Sequence, residues 1–328
     1  MKRGLVIGKF MPVHKGHMAL IEFAASQCDE LIVSMGYTHS DPIEPNLRME
    51  WLIELLKENK KVTVETIVDD FDNEFLPWIE RTKIWAEVLR ERYPPVQFVF
   101  SSEPYGEFLA GHLGAKSIVF DPERLRFPIS SSNIRANPIL CWDYIPKPVQ
   151  PHFVVKICFY GPESTGKSTL AKELAEKYNT EFVPEVAREI ITSNDFDWDD
   201  VIAIGRAQTK RVKEKLKAAN RFLFCDTDLI TTQIYSMHYL GEVPRVLLDL
   251  EKEIQYDIYF LFDIDVPWVI DGLRDLGNSR QEMMALFKEE LSNRKIIPTL
   301  VKGNWNDRKS TIIERLKVFE TEIKTNLS

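Results

Sequence analysis

The chain has 328 residues, more than one hydrophobic core commonly serves, and two domains are expected. Hydrophobic residues at 44% and charged residues at 28%, with only 18 Pro and 14 Gly, exclude a low-complexity or largely disordered chain. Lys and Arg number 42 against 50 Asp and Glu, and the resulting net charge of -8 has the wrong sign for a phosphate backbone, so no nucleic-acid partner is expected.

The apolar run after Met1-Lys2-Arg3 is too short for a signal peptide, and no segment reaches the roughly 18 uncharged apolar residues of a membrane span. Cys28, Cys141, Cys158 and Cys225 lie far apart, without the spacing of a zinc site or a redox pair. A cytoplasmic protein with no membrane partner follows as the expectation, with a homo-oligomer left open.

Short apolar runs at 5–8, 31–35, 62–68, 98–100 and 117–120 read as strands, and residues 17–26, 47–57, 78–92 and 107–113 carry helical periodicity between them. This alternation predicts a parallel sheet covered by helices, an α/β domain of the Rossmann-like kind. Residues 143–152 hold three prolines without periodicity and predict an extended, stiff connection. The domains are therefore drawn as 1–145 and 153–328, with 146–152 as linker. Beyond it, strands are expected at 153–160, 181–183, 221–225 and 258–262, and helices at 169–178, 199–219 and 309 to about 325, a second mainly parallel α/β domain.

Gly161-Pro162-Glu163-Ser164-Thr165-Gly166-Lys167-Ser168 follows the strongest strand signal and precedes Thr169 at the start of a helix. That is the context of a P-loop, in which backbone N–H groups and a helix N-terminus surround the phosphates of ATP. Lys167 is expected on the β- and γ-phosphates and the Ser168 hydroxyl on Mg²⁺. Asp226 ends a buried run and supplies a second oxygen for Mg²⁺, with Asp228 beside it; a strand-end Asp that only caps a turn is the rival reading. Glu185 is placed to face an acceptor hydroxyl and Arg188 a phosphate, although the two could simply pair. Either Glu185 or the 226–228 segment could orient the acceptor. Arg274 and Arg280, flanking a segment with Gly and Asn, read as arginines of a lid.

Gly8-Lys9-Phe10-Met11-Pro12-Val13-His14-Lys15-Gly16-His17 is another strand, loop and helix junction, now with two histidines three residues apart. Donors at that spacing suit the charge that builds on ATP during attack at its α-phosphate. Ile129-Ser130-Ser131-Ser132-Asn133-Ile134-Arg135 adds hydroxyls at a helix N-terminus and an Arg within one turn. A metal pair of histidines and a plain serine cap are the rival readings.

The His14-Lys15-Gly16-His17 string and the 129–135 segment resemble the signatures of the nucleotidylyltransferase superfamily, His-x-Gly-His and Ile-Ser-Ser-x-x-Ile-Arg. With Ser101-Ser102-Glu103-Pro104-Tyr105-Gly106 and the P-loop half added, the chain resembles the bifunctional NadR family from residue 1 to about 325. That resemblance implies a nicotinamide mononucleotide adenylyltransferase joined to a ribosylnicotinamide kinase, acting on nicotinamide riboside, nicotinamide mononucleotide and ATP with Mg²⁺. It implies that His14, His17, Ser131 and Arg135 bind and activate ATP, with Trp85, Ser101, Ser102 and Glu103 near the nicotinamide nucleotide. Relatives with an amino-terminal helix-turn-helix act as repressors; this chain enters its first strand by Leu5, so no such domain and no DNA binding are expected. Another cofactor precursor as acceptor, or a sensor of NAD and ATP without turnover, are the alternatives.

Overall fold

A computed structural model describes residues 1–73, 75–191, 196–269 and 276–321. The chain divides into two compact units, Met1–Val149 and Gln150–Ser328. Residues 143–152, expected as an extended connection, do not run extended. Trp142–Tyr144 and Gln150–Phe153 form short 3₁₀ turns, and Trp142, Ile145 and Val149, three and four residues apart, are buried, so apolar burial outweighs the extended preference of this proline-rich stretch.

The first unit is built on five parallel strands, β1 (Arg3–Gly8), β2 (Glu30–Tyr37), β3 (Val62–Val68), β4 (Phe98–Ser101) and β5 (Lys116–Val119), in the order β3-β2-β1-β4-β5. Helices cover both faces, which is why the central runs are apolar without alternation. Leu5, Ile32 and Val99 pack with Ala86 and Leu89 of helix Trp78–Arg92 and Leu109 of helix Tyr105–Leu113. On the other face, Phe23 of helix Lys15–Gln27 meets Phe100 at 6.2 Å between ring centroids. The chain thus leaves β1 toward one face and β4 toward the other, opening a crevice at the carboxyl ends of these neighbours, where sheets of this class bind ligands.

The second unit has β6 (Val155–Tyr160), β7 (Glu181–Val183), β8 (Phe222–Asp226), β9 (Ile258–Phe262) and β10 (Thr299–Val301), all parallel, in the order β10-β9-β6-β8-β7. Every residue of β8 and β9 is buried. Phe159 lies 5.9, 5.7 and 5.1 Å from the rings of Phe224, Phe260 and Phe262. Each such aromatic side chain contributes roughly 1.5–3 kcal/mol on burial. Register pairs Phe159 with Asp226, so the end of β8 stands beside the point where β6 enters the loop at 161–168. Strand β10 and the helices Leu229–Leu240, Arg245–Glu251 and Arg280–Asn293 were not expected from the sequence.

Candidate functional sites

In the first unit a cleft of about 560 Å³ opens at the carboxyl ends of β1 and β4. Gly8, Lys9, Phe10, His14, His17, Trp85, Ser102, Glu103, Ser130, Ser131, Ser132 and Arg135 all line it. His14 is the N-cap of helix Lys15–Gln27, and the two histidines cap reciprocally: each Nδ1 accepts the other's backbone N–H at 3.3 Å. Their rings stack at 3.7 Å between centroids. With both Nδ1 atoms serving as acceptors, each neutral imidazole carries its hydrogen on Nε2 as a donor. Burial, with the Arg124 guanidinium nearby, lowers the pKa of His14 to about 4, and burial, His14 and Arg124 hold His17 well below its ordinary value. Two uncharged donors result.

Ser130 caps helix Ser131–Ala136 by accepting the Asn133 N–H at 3.1 Å. Ser131 Oγ donates to the Pro12 carbonyl at 3.0 Å, and Arg135 donates to the Met11 carbonyl and to Ser132 Oγ. The serine segment is thereby fastened to the histidine loop. From the other side, fully buried Arg48 of helix Pro45–Leu56 donates to the Lys9 carbonyl at 2.6 Å and pairs with Asp41 at 2.6 Å.

Ser101 departs from expectation. It is 1% exposed, and its hydroxyl closes the turn after β4 by bonding both the N–H and the carbonyl of Glu103 at 2.8 Å. It shapes the rim and does not line the cleft. Trp85 donates to Asp72 at 3.0 Å; Arg81 also binds Asp72, at 2.9 and 2.5 Å, and lies 4.3 Å over Trp78. The reading of the sequence missed Asp72, Trp78 and Arg81, although Arg81 and Trp85 stand four apart on one helix face, a recognisable signal. Arg124, on the 120–130 loop, was missed because no periodic element carries it.

In the second unit the loop at 161–168 bends through Gly161 (φ 132°), Ser164 (φ 58°) and Gly166 (φ 86°). Glycine is required at Gly161, where a Cβ would come within 2.9 Å of the Phe262 carbonyl oxygen, and at Gly166, where it would meet the Trp305 ring at 3.0 Å. Lys167 Nζ donates to the carbonyls of Gly161 and Pro162 at 2.8 Å, lying across its own loop. Burial lowers its pKa although the carboxylates of Asp226, Glu185 and Glu163 pull the other way. Thr165 is buried, while Ser168 and Thr169 are exposed on the first turn of helix Lys167–Lys177. Asp226 is 2% exposed, its Oδ1 has no hydrogen-bond partner, and burial and Glu185 raise its pKa.

Arg308, missed entirely, is fully buried and joins four places: it donates to the carbonyls of Gly303 at 2.9 Å, Thr165 at 3.0 Å and Asp263 at 3.1 Å, and to the Asp265 carboxylate. A lone Arg in a helical run gives no sequence cue for such a role.

One further expectation is corrected and one falls outside view. Asp228, expected among the ATP and substrate contacts, is the N-cap of helix Leu229–Leu240; it accepts from Thr231 N–H at 2.9 Å, Thr231 Oγ1 at 3.0 Å and Tyr259 Oη at 3.0 Å. Those bonds consume both oxygens, and burial pushes its pKa up to about 6. Arg280 begins helix Arg280–Asn293, donates to the Val266 carbonyl at 2.8 Å and lies 5.6 Å from the Trp268 ring, with its Nε and one terminal nitrogen buried without a hydrogen-bond partner. Arg274 lies outside the described residues. Glu185 and Arg188 do pair, at 2.9 Å, and both line a second cleft with Glu163, Thr227, Gln208, Tyr235 and Tyr239. This cleft brings carboxylates and aromatic rings together.

The first unit is thus cytidylyltransferase-like, matching that family over residues 5–137, and the second matches the AAA domain family over 156–308. The chain is 33% identical to the trifunctional NAD biosynthesis/regulator protein NadR of Escherichia coli and to that of Salmonella typhimurium, over 89% of this chain and 77% of each relative. It belongs to the NadR family. The first unit is also 34% identical, over 45% of this chain and 81% of the relative, to the nicotinamide-nucleotide adenylyltransferase of Pyrococcus furiosus. A crystal structure of a NadR protein in complex with NAD and AMP-PNP superposes with a TM-score of 0.80 at 21% identity, covering 97% of this chain and 96% of that one, and another in complex with NR gives 0.79.

Proposed function

We propose that the chain makes NAD in two steps: its second unit phosphorylates the 5′-hydroxyl of nicotinamide riboside with ATP, and its first unit joins the resulting mononucleotide to the adenylyl group of a second ATP, releasing pyrophosphate. One observation carries the reading. Two independent anion cradles, the histidine loop after β1 and the glycine loop after β6, stand at the carboxyl ends of two parallel sheets in one chain of a family with named NAD-biosynthetic members.

In the first unit, the mononucleotide phosphate attacks the α-phosphorus and the bond to pyrophosphate breaks. The Nε2–H groups of His14 and His17 donate to the phosphate oxygens on which charge builds, and no covalent enzyme intermediate is needed. Arg135 and Ser131 keep the loop in register while the Asp72, Arg81, Trp78 and Trp85 wall bounds the nicotinamide side. In the second unit, Lys167 exchanges the Gly161 and Pro162 carbonyls for phosphate oxygens, and Glu185 accepts the hydrogen bond of the 5′-hydroxyl. Asp226 and Ser168 fit Mg²⁺: they offer hard oxygens, and one oxygen of Asp226 is buried without a partner. When bound there, the ion neutralises phosphate charge.

Incubating the pure protein with nicotinamide riboside, ATP and Mg²⁺ tests the reading. Nicotinamide mononucleotide and then NAD should appear by mass, with ADP and pyrophosphate in step. ATP and NAD binding without either product would instead make the chain a sensor, and turnover only with other precursors would move it to a different cofactor.

A further inference from the structure

We infer that Gln208 reads the ring carboxamide of the riboside, so that the kinase unit selects nicotinamide riboside by a hydrogen bond remote from the reacting hydroxyl; the inference rests on the kinase reading above. Gln208 lies on helix Trp198–Leu216, is 2% exposed and lines the cleft that also holds Glu185, Tyr235 and Tyr239. Its amide orientation is set: Oε1 accepts the Val186 N–H at 3.0 Å, one residue beyond Glu185. Only the Nε2 hydrogens remain for a ligand, and Nε2 is buried without a hydrogen-bond partner. A buried donor left unmade costs free energy, so its retention calls for an acceptor that arrives with the substrate. Gln208 also borders a void of about 10 Å³ with Asp228 and Glu251, carboxylates that already hold donors from Thr231, Tyr259, Arg294 and Gln233. In the larger cleft the Tyr235 and Tyr239 rings suit the pyridinium ring, whose carboxamide oxygen is the acceptor a donor-only amide selects.

The test pairs two proteins, the natural chain and Gln208→Met, with two cationic ribosides, that of nicotinamide and that of unsubstituted pyridine. The natural enzyme should prefer nicotinamide riboside in kcat/KM by about a hundredfold or more, because a site built to donate rejects an analogue without the acceptor. Gln208→Met should lose about 10- to 100-fold on nicotinamide riboside and change little on the pyridine analogue, collapsing the preference. Equal losses on both ribosides would mean that Gln208 supports the fold, contacts the ribose or answers a water in the void it borders, and would overturn the inference. Should the variant fail to fold, the natural enzyme still decides, since absence of discrimination between the ribosides overturns it too. Failure of the natural enzyme to phosphorylate either riboside would overturn the kinase reading and this inference with it.

Discussion

Acidification should destabilise the first unit through His14. Its pKa is about 4 in the folded chain against 6.5 for a free imidazole, so between those values the unfolded chain binds the proton and the folded one does not. Stability from this group is full above pH 6.5 and is lost as pH falls to about 4, a loss of about 3 kcal/mol. The structural cause is explicit, since protonating Nδ1 removes the acceptor that caps the His17 N–H, and the nearby Arg124 guanidinium opposes the new charge. Asn at this position caps a helix well and does not titrate, which makes His14→Asn the reference. Urea unfolding of both proteins between pH 7 and 4 should diverge by roughly that amount, and the His14 Cε1–H resonance should stay at its neutral shift at pH 5.5. Parallel stability curves, or a resonance that titrates near pH 6.5 in the free protein, would refute the argument. ATP, by bringing phosphate charge to the Nε2 donors, should raise the His14 pKa.

Lys167→Ala should reduce riboside phosphorylation by about 10²- to 10³-fold and spare adenylylation, while His17→Ala should do the reverse; coupled assays of ADP and pyrophosphate release read both, and loss of both in either folded variant would refute two separate sites. Asp226→Asn should weaken the response to Mg²⁺, so that higher metal restores part of the rate, whereas Glu185→Gln should lower kcat with an unchanged Mg²⁺ requirement; unimpaired turnover in the latter would pass the acceptor role to Asp226, Asp228 being occupied as a helix cap. Gly166→Ala, which forces a Cβ against Trp305 at a positive φ, should raise the KM for ATP in the kinase reaction and leave adenylylation alone, as initial rates against ATP would establish.

Both sheets were legible in the sequence because their central strands are apolar, largely buried runs bounded by polar turns, as in 222–226. The two loops were legible for another reason: backbone that approaches an anion needs glycine at set positions, and Gly161 and Gly166 mark it. What escaped lacks local periodicity. Strand β10 is three residues of which only Val301 is buried, and helix Leu229–Leu240 runs apolar beyond one face, leaving no amphipathic signature. Asp228 looked like a ligand because it follows a buried strand, but such a position serves equally to begin the next helix. Arg48, Arg124 and Arg308 act across 39, 21 and 143 residues, separations that no spacing rule reaches.

The Arg308 bond to the Thr165 carbonyl has a consequence for synthesis on the ribosome. The guanidinium that holds the backbone of the glycine loop is translated 143 residues after Thr165, with the Gly303 corner just before it. A nascent chain stalled at residue 300 would carry the whole motif and lack its brace, so its capacity to retain ATP there should appear only when helix Trp305–Thr321 is released. Every strand of the first sheet, by contrast, has been made by Val119. Vectorial translation therefore gives the adenylyl-transferring half a head start, and premature termination is expected to leave it folded beside an immature kinase.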